Sequence, residues 1–185
     1  MVSVAEANAA ADRTTVNDEG STGDGNVDDE NAGEMTLGAS YTEMSEILMP
    51  TDTNNLGCAL GGRVLHWMDI CAAIASRRFS GGLTVTAAME GVAFLAPIEQ
   101  GEIVTLSGYV FATGRTSMDV KVTVTAERPA ADELRETTTS FFTFVAVDGS
   151  HGTRPVPDLV CAGDHQHALR DRALEQRREH RKRTG

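Results

Sequence analysis

The chain has 185 residues, a net charge of −11 and 41% hydrophobic residues. That composition supplies one ordinary core and excludes a general nucleic-acid binder, whose phosphate contacts need clustered lysine and arginine. No apolar run reaches the ~18 residues of a membrane span, and MVSVAEANAAADRTT has no basic start followed by an apolar stretch, so a cytoplasmic protein is expected.

Lys121 and Lys182 are the only lysines. Acid excess, scarce lysine and abundant Ala, Thr, Val and Gly fit a halophile's cytoplasm. There a carboxylate-rich surface stays hydrated although salt shortens the Debye length to ~3 Å or less. Cys58, Cys71 and Cys161 are an odd, scattered set with neither CxxC pairing nor metal-ligand spacing. Reduced thiols are expected, with no disulfide framework and no metal.

Residues 1–38 read as an acidic N-terminal tail. The first 35 residues carry nine acidic side chains against Arg13 alone, too little apolar surface to offset the entropy of ordering. Ordered structure is expected from near Tyr41, where TEMSEILMP reads as a first strand that Pro50 ends. TDTNNLG follows as a loop.

Gly61-Gly62 opens the strongest helical pattern. Val64, Leu65, Met68, Cys71, Ala72, Ile74 and Ala75 recur at steps of three and four, and Ser80-Gly81-Gly82 closes it. A helix this apolar is buried on most sides. The remainder reads as strands: LTVTAAMEGVAFLAPI, EIVTLSGYVFATG, SMDVKVTVTAERP and ETTTSFFTFVAVDG, with a hairpin turn at Gly114-Arg115 and a longer connection at PAADELRE. PVPDLV closes a domain spanning 39–160. Residues 161–185 form a basic tail, read as a surface helix that frays. One apolar helix, followed by strands without helical crossovers, predicts an α+β fold with an antiparallel sheet wrapped around that helix.

Asp69 is the anomaly in this pattern. It lies in VLHWMDICAAIA, where a lone buried carboxylate would cost several kcal/mol and is more often functional than chance. The alternative places it on the helix's one solvent stripe, or capping a neighbouring backbone group. The glycine pair offers free N–H groups at the positive end of a helix dipole, suited to a polarised carbonyl. Tight packing against the sheet is the other reading of the same pair. His66 and Trp67 read as core or interface residues, and Phe141, Phe142 and Phe144 as sheet packing.

The pattern Met49-Pro50-x-Asp52-x-Asn54-x-x-Gly57-x-x-x-Gly61-Gly62, followed by Met68-Asp69, resembles the hotdog-fold acyl-CoA thioesterases, in the branch of YciA and the brain-type cytosolic acyl-CoA hydrolases. Val85-Thr86, Phe94-Leu95-x-Pro97-Ile98, Gly114-Arg115-x-Ser117, Val120-Lys121-Val122 and Thr143-Phe144-Val145 match as well, so the resemblance covers roughly residues 41–158. It implies a five-stranded antiparallel sheet around the central helix, and hydrolysis of acyl-CoA to a free acid and CoA. It implies a homodimer with active sites at the interface, assembling to a hexamer. No cofactor is implied, since coenzyme A is part of the substrate.

Carried over residue by residue, the family's helical aspartate is Asp69, as general base or as nucleophile. Gly61 and Gly62 are the carbonyl-polarising turn. The partner-loop Asn or Asp of the family falls on Cys58 here, which leaves Asn54, Asn55 or water to take its place. No neighbouring base supports Cys58 as a nucleophile. Arg115, Ser117, Lys121 and Arg63 are candidates for the CoA phosphates, with Thr86 and Cys58 near the ligand. Two other functions compete: an enoyl-CoA hydratase or dehydratase of the same fold, and a non-catalytic acyl-CoA-binding regulator.

Overall fold

The computed structural model describes residues 32–149 and 152–184; the acidic segment before residue 32 lies outside them. Eight strands and three helices follow in chain order: β1 (Glu34–Thr36), α1 (Leu37–Ser40), β2 (Thr42–Ile47), α2 (Gly61–Ser80), β3 (Thr84–Met89), β4 (Ala93–Phe94), β5 (Ile103–Thr113), β6 (Ser117–Arg128), β7 (Glu133–Ala146), β8 (Asp158–Val160) and α3 (Gly163–Thr184).

The expected α+β architecture is present. Five strands form an antiparallel sheet in the order β2-β5-β6-β7-β3, and β4 adds to β7 beyond the end of β3. The sheet curls around α2. Val64, Trp67, Met68, Cys71, Ala75 and Phe79 of the helix share one core with Leu106, Val110, Val120, Val122, Phe142 and Phe144 of the strands. Helix and sheet approach closely at Gly108 on β5, where an added Cβ would stand 3.1 Å from Cys71 Sγ. Gly81, at φ 67°, ends α2 in the left-handed conformation that glycine adopts without a Cβ penalty.

Four sequence expectations are corrected. Among the described residues a strand is already present at Glu34–Thr36, ahead of Tyr41, because β1 pairs in parallel with β8 and Leu37 is buried. The run from Leu83 to Ile98 is not one strand. A bulge between Thr86 and Ala88, and a break after Met89, divide it into β3 and the two-residue β4. PAADELRE is no long connection, since a 3-10 turn at Pro129–Ala131 leads straight into β7 at Glu133.

The fourth correction concerns the basic tail. α3 docks on the convex face of the sheet, where Ala173 joins Tyr109, Phe111, Phe141 and Leu37 in a second apolar cluster. That is why Tyr109, Val110 and Phe111 are all buried in succession: both faces of β5 are covered. Fully burying one such aromatic contributes ~1.5–3 kcal/mol, enough to hold a helix whose own sequence is polar.

Candidate active site

Asp69 and Ser76 are two helical turns apart on α2 and face β3. There Thr86 Oγ1 donates to Asp69 Oδ1 at 2.8 Å, and the hydroxyls of Ser76 and Thr84 lie 2.8 Å apart. Asp69 is half-buried, so it is neither sealed in the core nor loose in solvent. Its carboxylate sits beside an edge strand whose Val85 and Met89 are exposed, as is Leu83 just before it.

The loop before α2 is a built turn. Asn54 Oδ1 accepts from the backbone N–H of Leu56 (2.8 Å) and of Cys58 (3.2 Å). The Asn54 N–H donates to the Cys58 carbonyl at 2.7 Å. The side-chain carbonyl of Asn54 is therefore engaged in shaping the loop, which leaves its amide nitrogen as the donor to present outward. Asp52 pairs with Arg63 Nε at 2.8 Å, and the Arg63 guanidinium lies 5.3 Å from the Trp67 ring centroid. Arg63 thus already has an anion and an aromatic face.

A cleft of about 250 Å³ opens at the start of α2, lined by Cys58, Gly61, Val64, Phe94, Leu95 and Ile98 among others. A Cβ on Gly61 would meet the Phe94 ring at 3.3 Å, whereas one on Gly62 would meet nothing within 4 Å. Close packing accounts for the first glycine and leaves the second free. The N–H groups of Arg63 and Val64 donate to the Leu60 carbonyl at 2.9 and 3.2 Å, and those of Gly61 and Gly62 precede the first intrahelical hydrogen bond.

The candidate residues fall into separate groups. Asp69 and Thr86 meet. Asn54, Cys58, Gly61, Gly62 and Arg63 gather at the helix start, and Gly61 lies about 12 Å along the axis from Asp69 at 1.5 Å per residue. Arg115 in the β5–β6 turn is exposed, and Ser117, the first residue of β6, is half-buried. Ser117 pairs in register with Val145, beside the pairing of Thr84 with Ala146. Lys121 stands apart from all of these. It pairs across the sheet with Tyr109 and Phe141 on the convex face and is 7% exposed; burial pushes its ammonium below the ordinary value. Among the described residues no cluster of His, Cys, Asp and Glu could hold a metal ion, and no helix is long and apolar enough to cross a membrane.

Two features escaped sequence reasoning. The Thr86–Asp69 bond needs β3, held in register against β7, to pack alongside α2, which no local spacing reveals. The Arg177–Glu90 contact described below joins residues 87 positions apart.

A long helix cradled in a curled antiparallel sheet, with a carboxylate on its exposed flank, is the hotdog architecture. Residues 56–131 match the Thioesterase superfamily. An uncharacterized acyl-CoA thioester hydrolase, YkhA of Bacillus subtilis, is 37% identical over 136 residues, covering 74% of this chain and 79% of the relative. A hexameric acyl-CoA thioesterase solved in its apo form superposes with a TM-score of 0.74 at 33% identity, covering 83% of this chain and 98% of that one. The acyl-CoA hydrolase of Staphylococcus aureus, solved with butyryl coenzyme A, coenzyme A and coenzyme A disulfide, superposes at 0.72 and 28% identity, covering 80% and 92%. The chain belongs to the acyl-CoA thioester hydrolases of the Thioesterase superfamily.

The Staphylococcus aureus enzyme has also been solved with single alanine substitutions at an asparagine, an aspartate and a threonine. The spacing of those three positions equals that of Asn54, Asp69 and Thr86 in this chain.

Proposed function

We propose that this chain hydrolyses acyl-CoA thioesters to a carboxylic acid and CoA, with Asp69 as the catalytic carboxylate. The observation that carries the reading is the half-buried Asp69 on the central helix, oriented by the Thr86 hydroxyl at 2.8 Å. The matched spacing of Asn54, Asp69 and Thr86 with the positions substituted in the Staphylococcus aureus hydrolase supports it.

The chemistry follows from the parts. The N–H groups at Gly61-Gly62 and the Asn54 amide polarise the thioester carbonyl. Asp69 takes a proton from water, which attacks the acyl carbon, or attacks it directly to form an anhydride that water then opens. In both cases CoA leaves as the thiolate.

Asp69 and the Gly61 turn are too far apart in one chain to act on one carbonyl. The active unit is therefore a dimer in which the loop of one subunit faces Asp69 of the other, assembled further to a hexamer. The hexameric relative and the exposed Leu83, Val85 and Met89 beside the free edge of β3 support this assembly. Residues 39–160 are the catalytic domain, and Arg115 and Ser117 are the leading candidates for the CoA phosphates. Arg63 is engaged by Asp52, and Lys121 lies across the sheet. The acidic composition supports work in a salt-rich cytoplasm, and the acyl-CoA hydrolase relatives support a role in fatty acid metabolism.

The test is release of free CoA thiol from short- and long-chain acyl-CoA, in high salt, by the full chain and by Asp69→Asn. Loss of about a hundredfold or more in kcat is expected; near-normal turnover rejects the assignment. Hydration of an enoyl-CoA without thiol release would favour the hydratase, and binding without either reaction the regulator.

A further inference from the structure

The ionic cluster that fastens α3 to the sheet takes no part in the steps above. The Arg177 side chain is 12% exposed. Its Nε donates to Glu90 Oε1 at 2.8 Å, its Nη2 lies 2.7 Å from the same oxygen, and its Nη1 pairs with Asp119. The guanidinium also lies 5.6 Å from the Phe111 ring centroid. Arg181 adds a contact to Glu90 Oε1 at 2.6 Å. Glu90 Oε2 is buried without a hydrogen-bond partner. The carboxylate is thus compensated through one oxygen, by two arginines of one helix.

Glu90 closes β3. Its N–H donates to the Phe141 carbonyl at 2.8 Å, and its carbonyl accepts from Ser140 Oγ at 2.9 Å. Upstream, the bulge between Thr86 and Ala88 interrupts the pairing with β7 just past the residue that holds Asp69. β3 is also the last strand on its side of the main sheet order. The interrupted ladder leaves the Thr86 stretch of β3 held less firmly on its β7 side, so the anchor at Glu90 bears on where Thr86 stands.

We propose that Arg177 is a positioning residue for the thioesterase reaction: by gripping Glu90 it fixes the end of β3, and through β3 the Thr86 hydroxyl that orients Asp69. The inference rests on the reading of Asp69 as the catalytic carboxylate. It makes α3, a polar helix outside the catalytic domain, a support for the site on the opposite face of the sheet.

Steady-state hydrolysis by the full chain tests it, with Arg177→Met, Arg177→Lys, Glu90→Gln, Thr86→Val and the double variant Arg177→Met/Thr86→Val. Arg177→Met is expected to lower kcat about tenfold with KM within about twofold. Arg177→Lys restores most of the rate, and Glu90→Gln reproduces the loss. In the Thr86→Val background, Arg177→Met adds less than about twofold, because both changes act on one carboxylate. Unchanged kcat, a loss confined to KM, or losses that multiply in the double variant overturn the proposal. If Arg177→Met fails to fold, by circular dichroism and elution volume, Glu90→Gln alone and combined with Thr86→Val decides by the same criteria. Asp69→Asn separates the two readings. If it stays active, both fall; if it is inactive while Arg177→Met is normal, only the role of Arg177 falls.

Discussion

Thr86 holds Asp69 across the gap between the edge strand and the central helix, with its hydroxyl 2.8 Å from Oδ1. A hydrogen bond to a charged group is worth about 1.5–3 kcal/mol. Thr86→Val, which keeps the shape and removes the donor, should therefore lower kcat by roughly ten- to a hundredfold, and Thr86→Ser should keep most of the rate. Thiol-release kinetics on both variants, with unchanged circular dichroism, checks this.

Gly108 permits the close approach of β5 to α2. Alanine there would bring Cβ to 3.1 Å from Cys71 Sγ and 3.5 Å from the Lys121 carbonyl. Overpacking of this kind costs about 1–3 kcal/mol, read as a lower midpoint in denaturant. Cys71→Ala in the same chain should relieve part of the clash, so the two changes together cost less than their sum.

Acid should unfold the protein partly through Glu102 and Glu90. Burial alone would raise the Glu102 carboxyl, but Arg135, the Glu99 N–H and Arg128 outweigh it and hold the group below its usual 4.5. Burial likewise opposes, and Arg177 and Arg181 overcome it, at Glu90. A depressed folded-state pKa means stabilisation that is full above the unfolded value and lost as pH falls through the folded one. The melting temperature should hold down to about pH 5 and then drop. Arg135→Met should cost about 2 kcal/mol at neutral pH and flatten that drop, which thermal melts across pH 3–7 would show.

Lys121 is buried under α3 with no hydrogen bond or ion pair among the described contacts, and burial lowers its pKa from 10.5. Lys121→Met should stabilise the fold by about 1 kcal/mol at pH 7. The sign follows from linkage: the unfolded chain binds the proton more tightly, so the wild type regains the difference as pH rises through the lowered pKa toward 10.5. Denaturant titrations of both proteins at pH 7 and above measure the gap and its closure.

Thiol reagents should distinguish two cysteines. Cys58 is half-buried and lines the cleft, whereas Cys71 is fully buried and burial pushes its thiol up to about 12. Mass spectrometry after brief alkylation of the native protein should find Cys58 modified and Cys71 intact, with Cys71 reacting only in denaturant.

The sheet around one helix was legible in the sequence because its signals are local. Period-two runs marked β5, β6 and β7, and steps of three and four marked α2 with both its ends. Asp69 stood out because a carboxylate breaks that apolar stripe. The rest depends on contacts between distant residues. The bulge after Thr86 splits what reads as one strand. α3 reads as a frayed helix because its own stripe is weak, and Phe111 and Phe141, which hold it, lie in strands whose neighbours already account for a core. Lys121 matched a motif, yet strand alternation turns it to the face away from Asp69. Asn54 matched as well, and the structure adds that its side-chain carbonyl is committed to the loop.

The parallel pairing of Glu34–Thr36 with Asp158–Val160 ties the first described strand to the last one, and α3 starts three residues past that tie. Clipping the chain beyond residue 36 would therefore do more than shorten it. It would release the staple beneath the helix that carries Arg177, so a protease acting at the front of the protein reaches its back.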